Sequence, residues 1–205
     1  MEVDPRELLL SLGVGLGLAA ACGFRIFLPL LALGVAARAE LVPLAGGFQW
    51  LATTPALVAF AVATVLEIGA YYVPWLDHLL DLAATPAAVG AGALASASVL
   101  TELPPLLQWS VALVGGGTAA GIVKGATSLL RFGSTATTGG LGNPVVATAE
   151  GAAAGVVSLL AILVPMLALL LLGAILFGIY RLARRAFLRR PAAISEPAVA
   201  ARPPR

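Results

Sequence analysis

GLGLAAACGFRIFLPLLALG, residues 15–34, is an apolar run of membrane length with a guanidinium near its middle. Arg25 follows Gly23 and Phe24 and precedes Pro29, so the charge sits beside two residues that disturb helices. Outward along the chain the theme repeats. LVAFAVATVLEIGAYY (57–72) carries Glu67, GGGTAAGIVKGATSLL (115–130) carries Lys124, and GNPVVATAEGAAAGVV (142–157) carries Glu150. A charge at the bilayer centre costs about 2.5–3.5 kcal/mol on insertion scales. A base followed by an acid, twice, implies an all-α membrane protein with an internal polar path.

Composition agrees. Of 205 residues, 60% are hydrophobic and 11% charged, against about 45–50% and about 25% in soluble domains. Mean hydropathy is +1.01. The net charge of +2 does not point to nucleic acid, because the bases crowd into RLARRAFLRR (181–190) directly after an apolar run. That is the flank of a cytoplasmic helix end, close to anionic head groups. Cys22 is the single cysteine, which excludes an intrachain disulfide and a multi-cysteine metal site. The start, MEVDPRE, is acidic and leads into a run longer than a signal-peptide core, so no cleaved signal is read. PAAISEPAVAARPPR (191–205) has the composition of a disordered cytoplasmic tail.

Punctuation divides residues 1–190, one polytopic domain, into six expected spans. The first, about 8–37, should be kinked or broken at Gly23 and Pro29. After a loop at 37–50, Thr53, Thr54 and Pro55 open a second span that closes at Pro74. WLDHLLDLA (75–83) reads as a short amphipathic surface helix, and Thr85-Pro86 as the start of a third span over 86–101. The fourth, 106–131, has a small-residue stripe at Gly117, Gly121 and Gly125. GSTATTGGLGNP (133–144) reads as a polar loop. From Val145 to Tyr180 no polar break occurs, and about 36 residues at ~1.5 Å each are too long for one ~30 Å core. Pro165 is the expected break, giving spans 145–163 and 166–182; a re-entrant helix followed by one long span is the alternative. Six spans place both termini on the cytoplasmic side of the bacterial inner membrane.

An internal repeat is also visible. Gly15-x-Gly17-x-Ala19-Ala20 recurs as Gly115-x-Gly117-x-Ala119-Ala120, and Val62-Ala63-Thr64 as Val146-Ala147-Thr148. Halves of about 8–102 and 106–182, with three spans each, would be inverted relative to one another.

Arg25 could pair with Glu67, and Lys124 with Glu150. The competing reading is structural: pairs that fix helix register and carry nothing, with Lys124 snorkelling out beside Arg131. The functional reading joins Gly23, Arg25, Glu67, Lys124 and Glu150 to Thr137, Thr138, Gly139, Gly140 and Asn143, where hydroxyls and helix-terminal amides could ligate a small polar or ionic solute. Asp77, His78 and Asp81 are a weak metal set, more simply a solvated face. No cofactor motif appears; the glycines at 115–117 lack the GK[ST] of a P-loop. Neither GxSxG nor a Ser-His-Asp triad is visible, which argues against an enzyme.

GLGLAAACGFRIFLPLLALG, LEIGAYYVPWLDHLLDLAATP (66–86) and STATTGGLGNPVVATAE (134–150), in this order, resemble a bacterial membrane family, the domain of unknown function 4126. The resemblance covers roughly 10–180 and implies an integral membrane protein without an assigned activity. It also implies that Gly23, Arg25, Pro29, Glu67, Asp77, Asp81 and 139–144 belong to the family pattern. The three-plus-three plan is similar to LysE-type exporters at the level of architecture alone.

The leading expectation is a secondary transporter or channel for a small polar or ionic solute, embedded in lipid and without a nucleic-acid partner. A membrane scaffold or assembly factor is the alternative, as is a lipid transporter or lipid-modifying enzyme. Homo-oligomerisation is left open by the sequence.

Overall fold

A computed structural model describes residues 4–70 and 74–188, with the side chains of 74–82, 183 and 185–188 outside that description. The described residues are helical, with no strand. Asp77, His78 and Asp81 therefore lie outside the described side chains, and the 191–205 tail lies wholly outside the described residues.

The first apolar run does break, and it folds back. Helix α1 (Pro5–Phe24) ends where Arg25 adopts an extended conformation (φ −142°, ψ 135°), and α2 (Phe27–Arg38) starts two residues later. Leu41, Val42 and Pro43, just past α2, share a pocket wall with Glu7, Leu10, Ser11 and Val14 near the start of α1. The two helices are thus antiparallel, not one kinked span. With 12 residues, α2 rises about 18 Å, short of the ~30 Å core. A 3₁₀ segment (Gly46–Ala52) then leads into α3 (Thr54–Ala70), bent from it by 62°.

The expected surface helix and third span are one helix, α4 (Pro74–Val99), with Pro86 inside it. Ala84, Ala88, Ala91 and Ala95 are buried at helical spacing on both sides of the proline. That packed stripe outweighs the single hydrogen bond the imino acid removes. Helix α5 (Pro105–Val111), a π-helical segment (Ala112–Gly117) and α6 (Thr118–Thr138) form one rod of 34 residues. The expected loop from 133 is helical as far as Thr138 and turns only at Gly139 and Gly140, both with positive φ.

Helix α7 (Asn143–Leu163) and α8 (Pro165–Leu188) flank a sharp turn at Val164, as the two-span reading of 145–182 expected. A Cβ on Gly17 of α1 would touch both Ala161 and Ala168, which shows α7 and α8 lying side by side as a hairpin against α1. Helix α1 is the central post, packed on α4, α6, α7 and α8.

Four described helices are long and apolar enough to cross a bilayer: Pro5–Phe24, Pro105–Thr138, Asn143–Leu163 and Pro165–Leu182. The bent pair Gly46–Ala52 and Thr54–Ala70 makes a fifth. Phe27–Arg38 and the described stretch Ala83–Val99 of α4 are apolar but shorter, so the described residues do not by themselves bear out six spans.

The two Gly-x-Gly-x-Ala-Ala motifs meet the same side of α4. Gly15 and Gly116 both abut Ser96, and Ala19 and Ala120 both face Gly92. Their helices therefore run in the same direction, whereas an inverted repeat with that correspondence requires opposite ones. The tightest seam is likewise shifted by one residue from the expected stripe. A Cβ on Gly116 would lie 2.6 Å from the Ser96 side chain, while Gly125 has nothing within 4 Å.

Candidate functional site: a buried charged layer

Among the described residues five charged side chains lie buried toward one end of the bundle: Arg25, Glu67, Lys124, Arg131 and Glu150. Arg25 is the largest side chain in the fully buried set, at 1% exposure. Its place follows from the α1/α2 corner. Gly23 lets α1 approach α6 so closely that a Cβ there would stand 2.6 Å from the Ala120 carbonyl oxygen and the Val123 Cβ. The chain then turns at Arg25, and its Nη2 donates to the Ala147 carbonyl on α7 at 2.7 Å.

Glu67 meets the same corner from α3. Its Oε1 accepts from the Ile26 N–H at 2.8 Å, and its Oε2 accepts from the Phe27 N–H at 3.1 Å. Ile26, the residue before α2, offers no capping side chain of its own. The carboxylate of another helix does that work, satisfying amides that α2 leaves without intrahelical acceptors and meeting the positive end of its dipole. Glu67 thus engages backbone N–H groups rather than the Arg25 guanidinium, a correction to the expected pair.

Glu150 likewise has a different partner from the expected one. Arg131 donates Nε to Glu150 Oε1 at 3.0 Å, and its Nη2 donates to Oε2, a two-point pair between α6 and α7. The planar fork of arginine matches a carboxylate in this way and lysine does not. Lys124 is itself buried, at 3% exposure, so neither it nor Arg131 snorkels to the surface. Ala147 and Glu150 are three residues apart on α7. One face of that helix therefore receives both guanidiniums, Arg25 and Arg131. Arg131 is the site member that pairing by sequence order missed; its seven-residue spacing from Lys124 was the available signal.

The hydroxyl cluster plays another part. Thr137 Oγ1 donates to the Gly133 carbonyl at 2.8 Å and Thr138 Oγ1 to that of Ser134 at 2.7 Å. The Gly142 N–H donates to Thr138 Oγ1 at 3.0 Å, and Asn143 Nδ2 to Thr135 Oγ1 at 3.1 Å. These bonds close the α6–α7 turn. Thr137, Thr138 and Gly139 are exposed there, with Gly140 and Asn143 half-buried. The structure brings Gly23, Arg25, Glu67, Lys124 and Glu150 to the layer, and leaves Thr137, Thr138, Gly139, Gly140 and Asn143 in the turn beyond it. Cys22, fully buried in α1, is a small apolar packer. Among the described residues no group of three or more His, Cys, Asp or Glu is placed to hold a metal.

A cleft opens beside the layer. Ala63, Leu66, Glu67 and Ala70 of α3 face Ala83, Ala84 and Ala87 of α4 across about 470 Å³, with Ile26 and Phe27 also in the lining.

Neither a curated protein nor a solved structure matches the chain. Residues 12–185, which hold the helix break, the buried charges and the α6–α7 turn, match the sequence model of the domain of unknown function 4126, and the chain belongs to that family.

Proposed function

We propose that this membrane protein is a transporter or channel for a small polar or ionic solute, in the cytoplasmic membrane of a bacterium. One observation carries the reading: five ionisable side chains are buried among membrane-length apolar helices, in one layer beside a broken helix. Ions in hydrocarbon are expensive, and where they occur they mark ion or substrate paths. Broken helices at such sites supply half-helix ends that bind charge. Here the α2 amino terminus is held by Glu67, so displacing or protonating that carboxylate would free two amides for a solute. Arg25, Lys124 and Arg131 supply positive charge, with Glu67 and Glu150 as counter-ions or proton carriers.

Flux into proteoliposomes, with and without an imposed pH gradient, tests it. Solute movement above protein-free vesicles supports transport. Unchanged coupling in both Glu67→Gln and Glu150→Gln would remove the proton role. A second reading, a non-transporting scaffold, draws on the same packing: both carboxylates are engaged by protein donors, and α1 and α6 touch at Gly23. No flux of any tested ion or polar solute, from a correctly folded protein, would favour it.

A further inference from the structure

We infer that the α3/α4 cleft is a binding site for an amphiphilic organic cation, a molecule with an apolar body and one positive centre. The walls set the first half of that description. Ala63, Leu66 and Ala70 line one side and Ala83, Ala84 and Ala87 the other, with Ile26 and Phe27 also in the lining, so apart from Glu67 the described walls are aliphatic side chains and one phenyl ring. At about 470 Å³ it falls within the ~300–1,000 Å³ range of small-molecule sites, which are apolar with a few oriented polar groups. A hydrated inorganic cation would have to shed its water there for a single carboxylate that two backbone amides already engage.

The charge sets the second half. Glu67 is the one ionisable group among the described lining residues, and its residual exposure of 8% accompanies its place in the cleft wall. A carboxylate has about four acceptor directions, of which the Ile26 and Phe27 amides take two. Those N–H donors fix the orientation of the carboxylate. The Arg25 guanidinium reaches α7 through Nη2, and Arg25 is not among the residues lining the cleft. The Glu67 carboxylate is therefore the group in the described lining that would draw a positive centre into the slot.

The cleft also has an approach through the bilayer. Helix α3 packs on α2, and α4 mainly on α1, so the two walls belong to different helix pairs. Val58, Val62, Val65 and Leu66 leave the outer face of α3 exposed and apolar, as a lipid-facing helix is. An amphiphile dissolved in the membrane can reach Glu67 from the side. The site shares Glu67 with the proposed transport path but requires no net transport, so binding and flux can fail separately.

The test is equilibrium binding of radiolabelled tetraphenylphosphonium to the full chain in phosphatidylcholine nanodiscs, corrected with empty discs. Saturable binding near one equivalent is expected. Ala87→Leu, which fills the slot from an exposed wall position, and Glu67→Gln should each weaken it at least tenfold. Circular dichroism melts monitor folding, and Ala87→Leu keeps the test decisive should Glu67→Gln unfold the corner. Absence of saturable binding, unchanged affinity in Ala87→Leu, or equal competition by neutral triphenylphosphine oxide would overturn the assignment. So would displacement of the probe by rising phosphatidylethanolamine content, which would give the cleft to a lipid headgroup.

Discussion

At the scale of single residues, burial decides what each charge is worth. Breaking one side of a buried pair leaves the other ion stranded, at about 3–5 kcal/mol, whereas replacing both partners with apolar groups of similar size is often neutral or better. Arg131→Met and Glu150→Leu should therefore each lower the thermal midpoint in detergent sharply, and the double variant should lose less than the sum of the two. Additive losses in that cycle would deny that the two side chains are coupled. Glycine positions divide by what stands opposite them. Gly23→Ala drives a Cβ to 2.6 Å from the Ala120 carbonyl oxygen and should cost about 1–3 kcal/mol. Gly125→Ala meets nothing within 4 Å and should leave stability unchanged or raise it by up to about 1 kcal/mol. Which residues would be charged inside the membrane was legible from their apolar neighbours; which would pair was not. The Ser/Thr/Gly composition of 133–142 reads as a loop, which puts Arg131 at a helix end. Once the hydroxyls are seen to bond carbonyls four residues back, the helix continues and Arg131 becomes interior.

At the scale of elements, the α1/α2 corner shows a tertiary contact replacing a missing local signal. Asp4 caps α1 from within its own sequence, its side chain accepting from the Arg6 N–H. Helix α2 has no such residue, and its cap arrives from α3, some forty positions away. Hydrogen bonds to a charged group contribute about 1.5–3 kcal/mol, which corresponds to one to two orders of magnitude in a local opening equilibrium. Glu67→Ala should therefore speed hydrogen exchange at the Ile26 and Phe27 amides by roughly 10- to 100-fold, with the centre of α1 unchanged. Exchange as slow as in the native chain would mean that the carboxylate does not hold the corner. Gly23 and Pro29 made a break in this stretch readable from sequence. The reversal of direction after it was not, because it shows only in three dimensions, where 41–43 come to line one pocket with the start of α1. Pro86 was misleading for a related reason. A proline after threonine looks like a helix start, yet the buried alanines on either side form one uninterrupted stripe.

At the scale of the whole molecule, the direction of each helix fixes the topology. Pro165, at the start of α8, abuts Gly13 of α1, and Leu172 packs with Ala20 of α1, so α8 runs parallel to α1. The first residue of α1 and the last of α8 therefore lie at opposite ends of the bundle. An even number of spans, with both ends on one side, is the expectation from sequence; it takes 8–37 as one crossing, whereas α1 is a membrane-length helix and the shorter α2 folds back beside it. From the positive-inside rule we propose that the α8 end, with Arg181 and Arg184, faces the cytoplasm. That leaves the start of α1, the 41–50 connection and the Glu102 turn on the far side. The same orientation would set the buried charged layer toward the cytoplasmic end of the bundle, since Arg25 and Ala147 lie at the end of α1 remote from Pro5. The check is labelling of single cysteines in a Cys22→Ala background, in which the only native thiol, buried in α1, has been removed. In intact cells a membrane-impermeant maleimide should reach Glu7→Cys and Gly46→Cys without permeabilisation. It should reach Gly139→Cys only after the membrane is opened. Labelling of Glu7→Cys and Gly139→Cys from the same side would contradict the parallel course of α1 and α6, because those positions terminate the two helices at opposite ends of the bundle.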